Sequence, residues 1–426
     1  GGTSRTFQGG ARFDVRAGYF TEDRDNGTPF QTNGTTVRQA SASAAGNTWG
    51  GSWNARAYGA SQDYDQTFSA VAADRASERP TTLQHVDSAS GAGSFEWLRG
   101  GARYAWLLGG SFRQVEADLI ERSASAPEAP AVPTPARQRS GAILVQSSFV
   151  PSSRVIVGAG VRGEIWRSEL RDGTMQRTVV GVFPRASIAW RLDETLTLRA
   201  AAHHAFRTPT INELFRPFRV GNVLTGANPA LHPEESYGLE GAAFLRRGPG
   251  ALRVTGFWTR LNDAIVNVTL ESTPALILRE RQNAGRIRAT GVEIEADTRI
   301  GPMLGVSAAL AYTNSVFTEG AGLEGLSVPQ VPRWQGSIGV HGRTSDLSFA
   351  ADWRVSGPQF DDDRNQFRLD PFTVLNARVG WRLAGAVEVF AAIENAFDEE
   401  QDVGRTPIRT IGLPRTARVG LLLGKW

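Results

Sequence analysis

The chain has 426 residues, and 46 Lys+Arg against 43 Asp+Glu give it a formal net charge of +3. This near-balance is spread along the chain, which excludes the clustered basic face of a nucleic-acid-binding protein. Cysteine is absent and no apolar run reaches 18 residues, which excludes disulfide scaffolds, thiolate metal sites and a transmembrane helix.

Alternation of apolar and polar side chains is the dominant pattern along the chain. The segments 185–192, 292–298, 347–355 and 373–383 show it clearly. Side chains point to opposite faces along a strand, so each segment is predicted to be a strand with one apolar and one polar face. We predict 18 strands, at 6–20, 35–44, 48–63, 82–98, 102–117, 138–149, 154–168, 180–192, 195–206, 235–246, 250–270, 287–300, 303–317, 333–343, 346–357, 371–383, 386–397 and 412–426.

The connections between these strands alternate between very short and long. The long ones are 21–34, 118–137, 207–234, 318–332, 358–370 and 398–411. Short periplasmic turns alternating with long extracellular loops are typical of outer-membrane barrels, and several Trp near strand ends suit the aromatic girdle of such a barrel. The predicted fold is therefore all-β, a transmembrane antiparallel up-and-down β-barrel. The Pro-rich segment 126–139 cannot occupy a central strand, and we expect it to be a surface loop.

The longest connection, 207–234, is the candidate ligand-binding loop. It combines basic, acidic and aromatic side chains, namely Arg207, Glu213, Phe215, Arg216, Phe218 and Arg219. Loops on a rigid scaffold often carry recognition, and Arg suits anionic ligands. Packing of the loop on the barrel rim is an equally good interpretation.

Asp361, Asp362 and Asp363 stand together in QFDDDRNQ (359–366). Carboxylate oxygens bind calcium, so the three are weak candidates for a calcium site. Neighbours on an extended chain diverge, however, and we expect a solvated loop. His203 and His204 face opposite sides of a strand, and His85, His232 and His341 are isolated, so we expect no histidine metal site. We also expect no cofactor and no catalytic residue, because the sequence offers no acid/base pair or nucleophile triad.

Several phrases resemble the TonB-dependent outer-membrane receptor family. They are HHAFRTPTINELF (203–215), NPALHPEESYGLEG (228–241), NAGRIRATGVEIEAD (283–297), VPRWQ (331–335), VEVFAAIENAFDEE (387–400) and GLPRTARVGLLL (412–423). Each phrase alone is weak, but their order and spacing together are specific. The resemblance covers at least residues 183–426.

The resemblance implies a 22-strand barrel, of which about 18 strands are present here. It also implies an N-terminal plug domain and a TonB-contacting segment, and neither is recognisable, so residues 1–426 are expected to be an N-terminally truncated barrel domain. The implied function is import across the outer membrane of a scarce large ligand (a ferric siderophore, cobalamin or similar) with energy from TonB. The implied partners are TonB, the extracellular ligand, and outer-membrane lipid and lipopolysaccharide around a monomer. A complete 18-strand passive porin is the alternative.

Overall fold

The computed structural model describes residues 1–7, 10–72, 76–131, 133–220, 223–273, 276–320, 322–384, 387–406 and 409–424. Within these ranges the chain forms 27 strands and one short helix. No helix among them is both long and apolar enough to cross a membrane.

The elements follow one another in chain order. The first ten strands are β1 (Gly2–Thr6), β2 (Arg12–Asp25), β3 (Thr32–Thr48), β4 (Gly51–Val71), β5 (Glu78–Gly100), β6 (Tyr104–Ser123), β7 (Thr134–Ser152), β8 (Val155–Leu170), β9 (Gln176–Arg191) and β10 (Leu196–Arg207). Next come α1 (Ile211–Phe215), β11 (Phe218–Val220), β12 (Val223–Gly226), β13 (Glu234–Arg247), β14 (Gly250–Asn262), β15 (Ile265–Ser272), β16 (Ile277–Asn283), β17 (Arg286–Ile300) and β18 (Leu304–Glu319). The last are β19 (Trp334–Arg343), β20 (Leu347–Ser356), β21 (Gln359–Phe360), β22 (Arg368–Leu369), β23 (Phe372–Ala384), β24 (Val387–Glu394), β25 (Asp402–Gly404), β26 (Thr410–Ile411) and β27 (Thr416–Leu423).

Nineteen of the described strands belong to one antiparallel sheet. Eighteen of them correspond to the predicted strands, and the additional one is β1, which pairs with β2 from Gly2↔Arg16 to Thr6↔Arg12. The all-β, antiparallel, up-and-down prediction is therefore confirmed. The remaining eight strands are short. They lie in connections that were predicted to be loops, or at the end of the predicted strand 250–270.

Two predicted segments, 250–270 and 126–139, differ in kind from the structure. The segment 250–270 is not one strand, because the chain turns between β14 and β15 at Asp263, which has a positive φ of 52°. The Pro-rich segment 126–139 is not wholly a loop, because β7 begins at Thr134 and Pro135 pairs with Asp118. Pro135 is tolerated at this strand start, where its carbonyl accepts a hydrogen bond from the Arg171 amide at 2.7 Å and no N–H is needed.

The chain divides into two compact units, of which the first comprises residues 1–186, 204–233 and 270–282. In this unit each strand from β1 to β8 pairs antiparallel with the next in sequence. The connection between β3 and β4 is Trp49 and Gly50, both at positive φ (57° and 71°), as a two-residue hairpin turn requires. At the other end the strands extend further than predicted, so the connections 26–31 and 124–133 are shorter than expected.

The second unit comprises residues 187–203, 234–269 and 283–426. Its long strands pair antiparallel in the order β13, β14, β17, β18, β19, β20, β23, β24 and β27. A small buried cluster under its long connections contains Val268, Ala284, Phe317 and Leu323. Gly291 pairs with Phe257, and a Cβ at Gly291 would lie 2.6 Å from that ring, so the close approach that a glycine here suggests is present.

Many large apolar side chains of both units are exposed. Ile143 and Val180 in the first unit are 69% and 71% exposed, and Leu383 and Val419 in the second are 65% and 81% exposed. On β23 the polar side chains of the opposite face are half-buried instead. Trp49, Trp190, Trp334 and Trp381, all near strand ends, are exposed as well. Apolar side chains that face outward, with aromatic residues at the borders, are what a strand lying against lipid requires.

Candidate functional site

The connection between β10 and β13 begins with a helix that the strand-centred prediction missed. Thr210 is its N-cap: the Thr210 hydroxyl accepts a hydrogen bond from the Glu213 amide at 3.2 Å. In return, the Glu213 carboxylate accepts from the Thr210 amide at 2.7 Å and from its hydroxyl at 2.9 Å. This reciprocal capping box forms α1 directly after Pro209. The Thr-x-x-Glu spacing at 210–213 was the sequence signal that could have found it.

Arg207 and Glu213, two of the candidate ligand-binding residues, bind each other. The two guanidinium Nη atoms of Arg207 donate to the two carboxylate oxygens of Glu213 at 2.9 and 3.0 Å. Burial would raise the pKa of Glu213, but the hydrogen bonds from Arg207 and Thr210 outweigh it and hold the pKa below its ordinary value. This bidentate pair fixes the loop, and its opposite charges largely cancel.

Arg281 is the residue of this site that sequence reasoning missed. It lies on β16 and is only 8% exposed. Its Nη1 donates at 2.7 Å to the carbonyls of Asn212 in α1 and of Arg216, the C-cap of that helix, and its guanidinium stands 5.1 Å from the centre of the Phe218 ring. Burial lowers the pKa of Arg281; Glu213 opposes this shift and Arg216 adds to it. The buried guanidinium therefore ties β16 to the main chain of α1.

Further side chains tie the same connection to the long strands of the first unit. Gln138 of β7 donates to the Pro209 carbonyl at 2.8 Å. Arg177 of β9 donates to the carbonyls of Ala230, at 3.2 Å, and of Leu231. The connection is therefore held at its start and near its end, which positions α1 over the strand ends.

The four other candidates of this loop differ in their surroundings. Phe215 and Phe218 are half-buried. The Nε of Arg216 lies 3.7 Å from a Glu121 carboxylate oxygen, and in the described part of the chain this buried atom has no hydrogen-bond partner. Arg219 belongs to β11, but its side chain falls outside the described residues. Arg216 therefore has a side-chain nitrogen, Nε, that has no hydrogen-bond partner among the described residues.

The three aspartates are buried or tied down, and the expected solvated loop is wrong. Asp362 and Asp363 are each 4% exposed. Asp362 accepts from the amides of Gln366 and Phe367 at 2.9 and 2.7 Å. Asp363 accepts from the amide and hydroxyl of Thr269 at 3.0 and 2.7 Å.

Asp361 is held by a third set of donors. It accepts from the amides of Arg405 and Thr406 at 2.8 and 2.9 Å and from the Gln330 side chain at 2.9 Å. Burial would raise the pKa of Asp361, but these bonds and the Thr406 hydroxyl outweigh it and lower the pKa. The structure therefore does not bring the three carboxylates together, and a calcium site here stays a prediction.

Comparison with known proteins places this architecture among outer-membrane receptors. The family profile described as "TonB dependent receptor-like, beta-barrel" matches residues 1–396. The ferrichrome outer membrane transporter/phage receptor of Escherichia coli (strain K12) is 30% identical over 125 residues, which are 27% of this chain and 17% of that protein.

Solved structures share the fold at low sequence identity. The copper transporter OprC superposes with a TM-score of 0.82 at 15% identity, covering 99% of this chain and 70% of that chain. The ferric yersiniabactin uptake receptor FyuA from Yersinia pestis superposes with a TM-score of 0.74 at 15% identity, covering 98% of this chain and 68% of that chain. The sheet described above is therefore that of an outer-membrane barrel, and this chain spans less than a fifth of the length of the ferrichrome transporter that it matches.

Proposed function

Because the chain belongs to the TonB-dependent receptor family, we propose that it forms the barrel of a transporter that imports a scarce large ligand with energy from TonB. The family is one of receptors and not of enzymes, and its place is the outer membrane of Gram-negative bacteria. The observation that carries the proposal is the family match over residues 1–396. That residues 1–426 make up one barrel domain, and that the receptor is a monomer in contact with lipopolysaccharide, stay predictions.

The ligand class that the relatives favour is a ferric siderophore. One relative is named for ferrichrome and another for ferric yersiniabactin. Cobalamin remains within the same proposal as a second large ligand. The alternative of a passive porin is not favoured, because the match is to a receptor family.

Within the proposed receptor, the connection carrying α1 supplies one wall of the ligand site. Its shape is held by Arg207, Glu213 and Arg281, so the loop is ordered before ligand arrives, which lowers the entropic cost of binding. Arg216 is the residue we assign to an anionic group of the ligand, since its Nε has no hydrogen-bond partner in the described part of the chain and lies 3.7 Å from a Glu121 carboxylate oxygen. Phe215 and Phe218 offer half-buried rings to the apolar part of a ligand.

A growth screen tests the import proposal. A strain that lacks the gene should fail to grow on at least one source among ferric siderophores and cobalamin, and the intact gene should restore growth. Growth on every source would refute the import function.

A second comparison tests the loop residue. Arg216→Gln should raise the ligand concentration needed for half-maximal uptake about tenfold, as expected when one charge-assisted hydrogen bond is lost. The exposed Arg246→Gln serves as the matched control and should leave uptake unchanged. If import is confirmed but Arg216→Gln is silent, the loop assignment fails while the transport assignment stands.

A further inference from the structure

Four side chains on β4 and β5, those of Asp63, Asp65, His85 and Asp87, form one cluster. Asp63 stands directly opposite Asp87, and Asp65 directly opposite His85. Since alternate residues share one face of a strand, the four side chains lie side by side on the same face. One potential donor atom from each of Asp63, His85 and Asp87 lies within 4.8 Å of the others.

This face is the one that carries the apolar side chains lower on the same strands. Phe95 and Trp97 share the parity of His85 and Asp87 on β5, and Phe95 is exposed. Asp87 lies about 13 residues from Gly100, the end of β5 at the short connection. At ~3.3 Å per residue and a tilt of ~40°, this distance along the axis is ~30 Å, whereas the apolar band is ~25 Å tall. The cluster therefore faces outward in the aqueous zone just above the lipid.

The carboxylates of this cluster repel one another in the absence of a cation. Asp63, Asp87 and Asp118 stand in register across three neighbouring strands, and like charges directly opposite are destabilising. Asp118 is neutralised by Arg171. Both remaining aspartates contact His85: Asp87 Oδ2 lies 3.2 Å from its Nε2, and Asp63 Oδ1 lies 4.0 Å from its Nδ1.

The other neighbouring strand adds little charge to this group. On β3, Thr36 stands opposite Asp63 and Arg38 opposite Ser61. The Arg38 guanidinium lies 6.0 Å from the centre of the Tyr19 ring. The imidazole of His85 thus stands among three carboxylates, Asp63, Asp65 and Asp87. Arg122 of β6 lines the same cavity as Asp65 and His85.

We propose that Asp63, Asp87 and Nε2 of His85 bind a divalent transition-metal ion of the zinc type on the outer surface of the receptor. Imidazole nitrogen with carboxylate oxygen is a ligand set that Zn²⁺ accepts at ~2.0–2.2 Å. Asp65 completes the arrangement, because its Oδ1 lies 2.9 Å from Nδ1 of His85. A carboxylate on the second ring nitrogen holds the imidazole in the tautomer that presents Nε2 to a metal.

The site joins β4 to β5 where both strands project beyond the lipid. Tetrahedral ligands at these bond lengths lie ~3.4 Å apart, so donor atoms that now lie within 4.8 Å of one another must close by up to ~1.4 Å. Asp63, which lies nearer Nδ1 of His85, must turn toward Nε2. The side chains are 31% (His85), 50% (Asp63) and 61% (Asp87) exposed, and rotation of exposed side chains supplies this movement. The three protein ligands leave a fourth position for water. The metal lies on the outward face and is not on the proposed import route.

The test is titration of the full chain, purified in detergent and free of metal, with ZnCl₂ in a calorimeter. We expect one Zn²⁺ per chain. His85→Asn and Asp63→Asn should each weaken binding by at least 100-fold, and Asp65→Asn by ~10–100-fold, as is usual for a residue that orients a ligand. His341→Asn, which changes a histidine on a distant strand, should leave the affinity within about twofold. X-ray absorption at the zinc edge should show one imidazole nitrogen among oxygen ligands.

Three results would overturn the proposal. The first is that the chain binds no Zn²⁺, in which case His85 serves only as an ion-pair partner. The second is binding that His85→Asn does not weaken. The third is binding of Ca²⁺ or Mg²⁺ in place of Zn²⁺, which would mean that the carboxylates act without the imidazole. Each variant is first checked for heat-dependent gel mobility, so that a failure to fold is not counted as a loss of metal.

Discussion

Arg281 provides the strongest test of how the candidate ligand loop is held. Replacing it with Met removes two charge-assisted hydrogen bonds of 2.7 Å, to the carbonyls of Asn212 and Arg216. Each such bond contributes about 1.5 kcal/mol or more. The contact with the Phe218 ring at 5.1 Å adds about 0.5 kcal/mol or more. The free energy of local opening should therefore fall by at least ~3 kcal/mol.

Hydrogen exchange followed by mass spectrometry measures this opening. The probes are the amides of Leu214 and Asn228, which donate to carbonyls inside the same connection at 3.1 and 3.0 Å. A loss of about 3 kcal/mol corresponds to ~100-fold faster exchange, since 1.4 kcal/mol is a factor of ten. Strands β5 and β6 should keep their protection.

The control is Arg246→Met, the same substitution at an exposed arginine. It should not change exchange at either probe. If Arg281→Met accelerates exchange at Leu214 by less than tenfold, the buried guanidinium does not anchor the loop and the reasoning is wrong. An equal acceleration in β5 and β6 would show a global loss of stability and would refute a local role.

Three further predictions concern the caps and the aspartates. Thr210→Ala should destabilise α1 by about 1 kcal/mol because the helix loses its cap, and hydrogen exchange at the Leu214 amide should become roughly fivefold faster. Thr210→Ser keeps the hydroxyl and should behave as wild type, so equal effects of the two variants would contradict the capping role. Asp363→Ala leaves the buried amide and hydroxyl of Thr269 without an acceptor, so thermal unfolding in detergent should show a free energy of unfolding lower by about 1–3 kcal/mol. Asp370→Ala, which changes an exposed aspartate, should not lower it. Because the pKa of Asp361 is lowered, its stabilising contribution is present above the ordinary carboxyl pKa near 4 and is lost as pH falls through the folded-state value. Protection of the Thr406 amide from hydrogen exchange should therefore decrease on acidification below about pH 4. Asp361→Asn should remove that pH dependence.

The strands could be predicted from the sequence because the alternation of apolar and polar side chains depends only on residues that are neighbours in the chain. Each long strand has one lipid-facing side, so apolar residues repeat at every second position, as they do from Leu375 to Leu383 on β23. Strand ends beyond the lipid lose this constraint, because both faces are then wet. Residues 78–81 of β5 and 118–123 of β6 were therefore assigned to connections, although backbone pairing continues through them.

The sequence predicted which loop carries the candidate site, but not the role of each residue in that loop. Arg207, Glu213 and Arg216 were all identified, yet nothing in their spacing distinguishes the Arg207–Glu213 ion pair from Arg216, whose Nε has no hydrogen-bond partner among the described residues. Arg281 lies about 65 residues further along the chain, and its contact with α1 depends on the parallel pairing of β12 with β16. His85 was judged isolated for the same reason, because Asp63 reaches it only through the register of β4 and β5.

Donor side chains on β7, β9 and β16 hold the α1 connection through the main-chain carbonyls of Pro209, Asn212, Arg216, Ala230 and Leu231. Every residue type carries a carbonyl, so a substitution at any of these five positions leaves in place the acceptor that the donor side chain holds. Selection can therefore alter what the connection recognises while its path is inherited unchanged. The connection therefore offers a surface that can diversify on an anchor that does not.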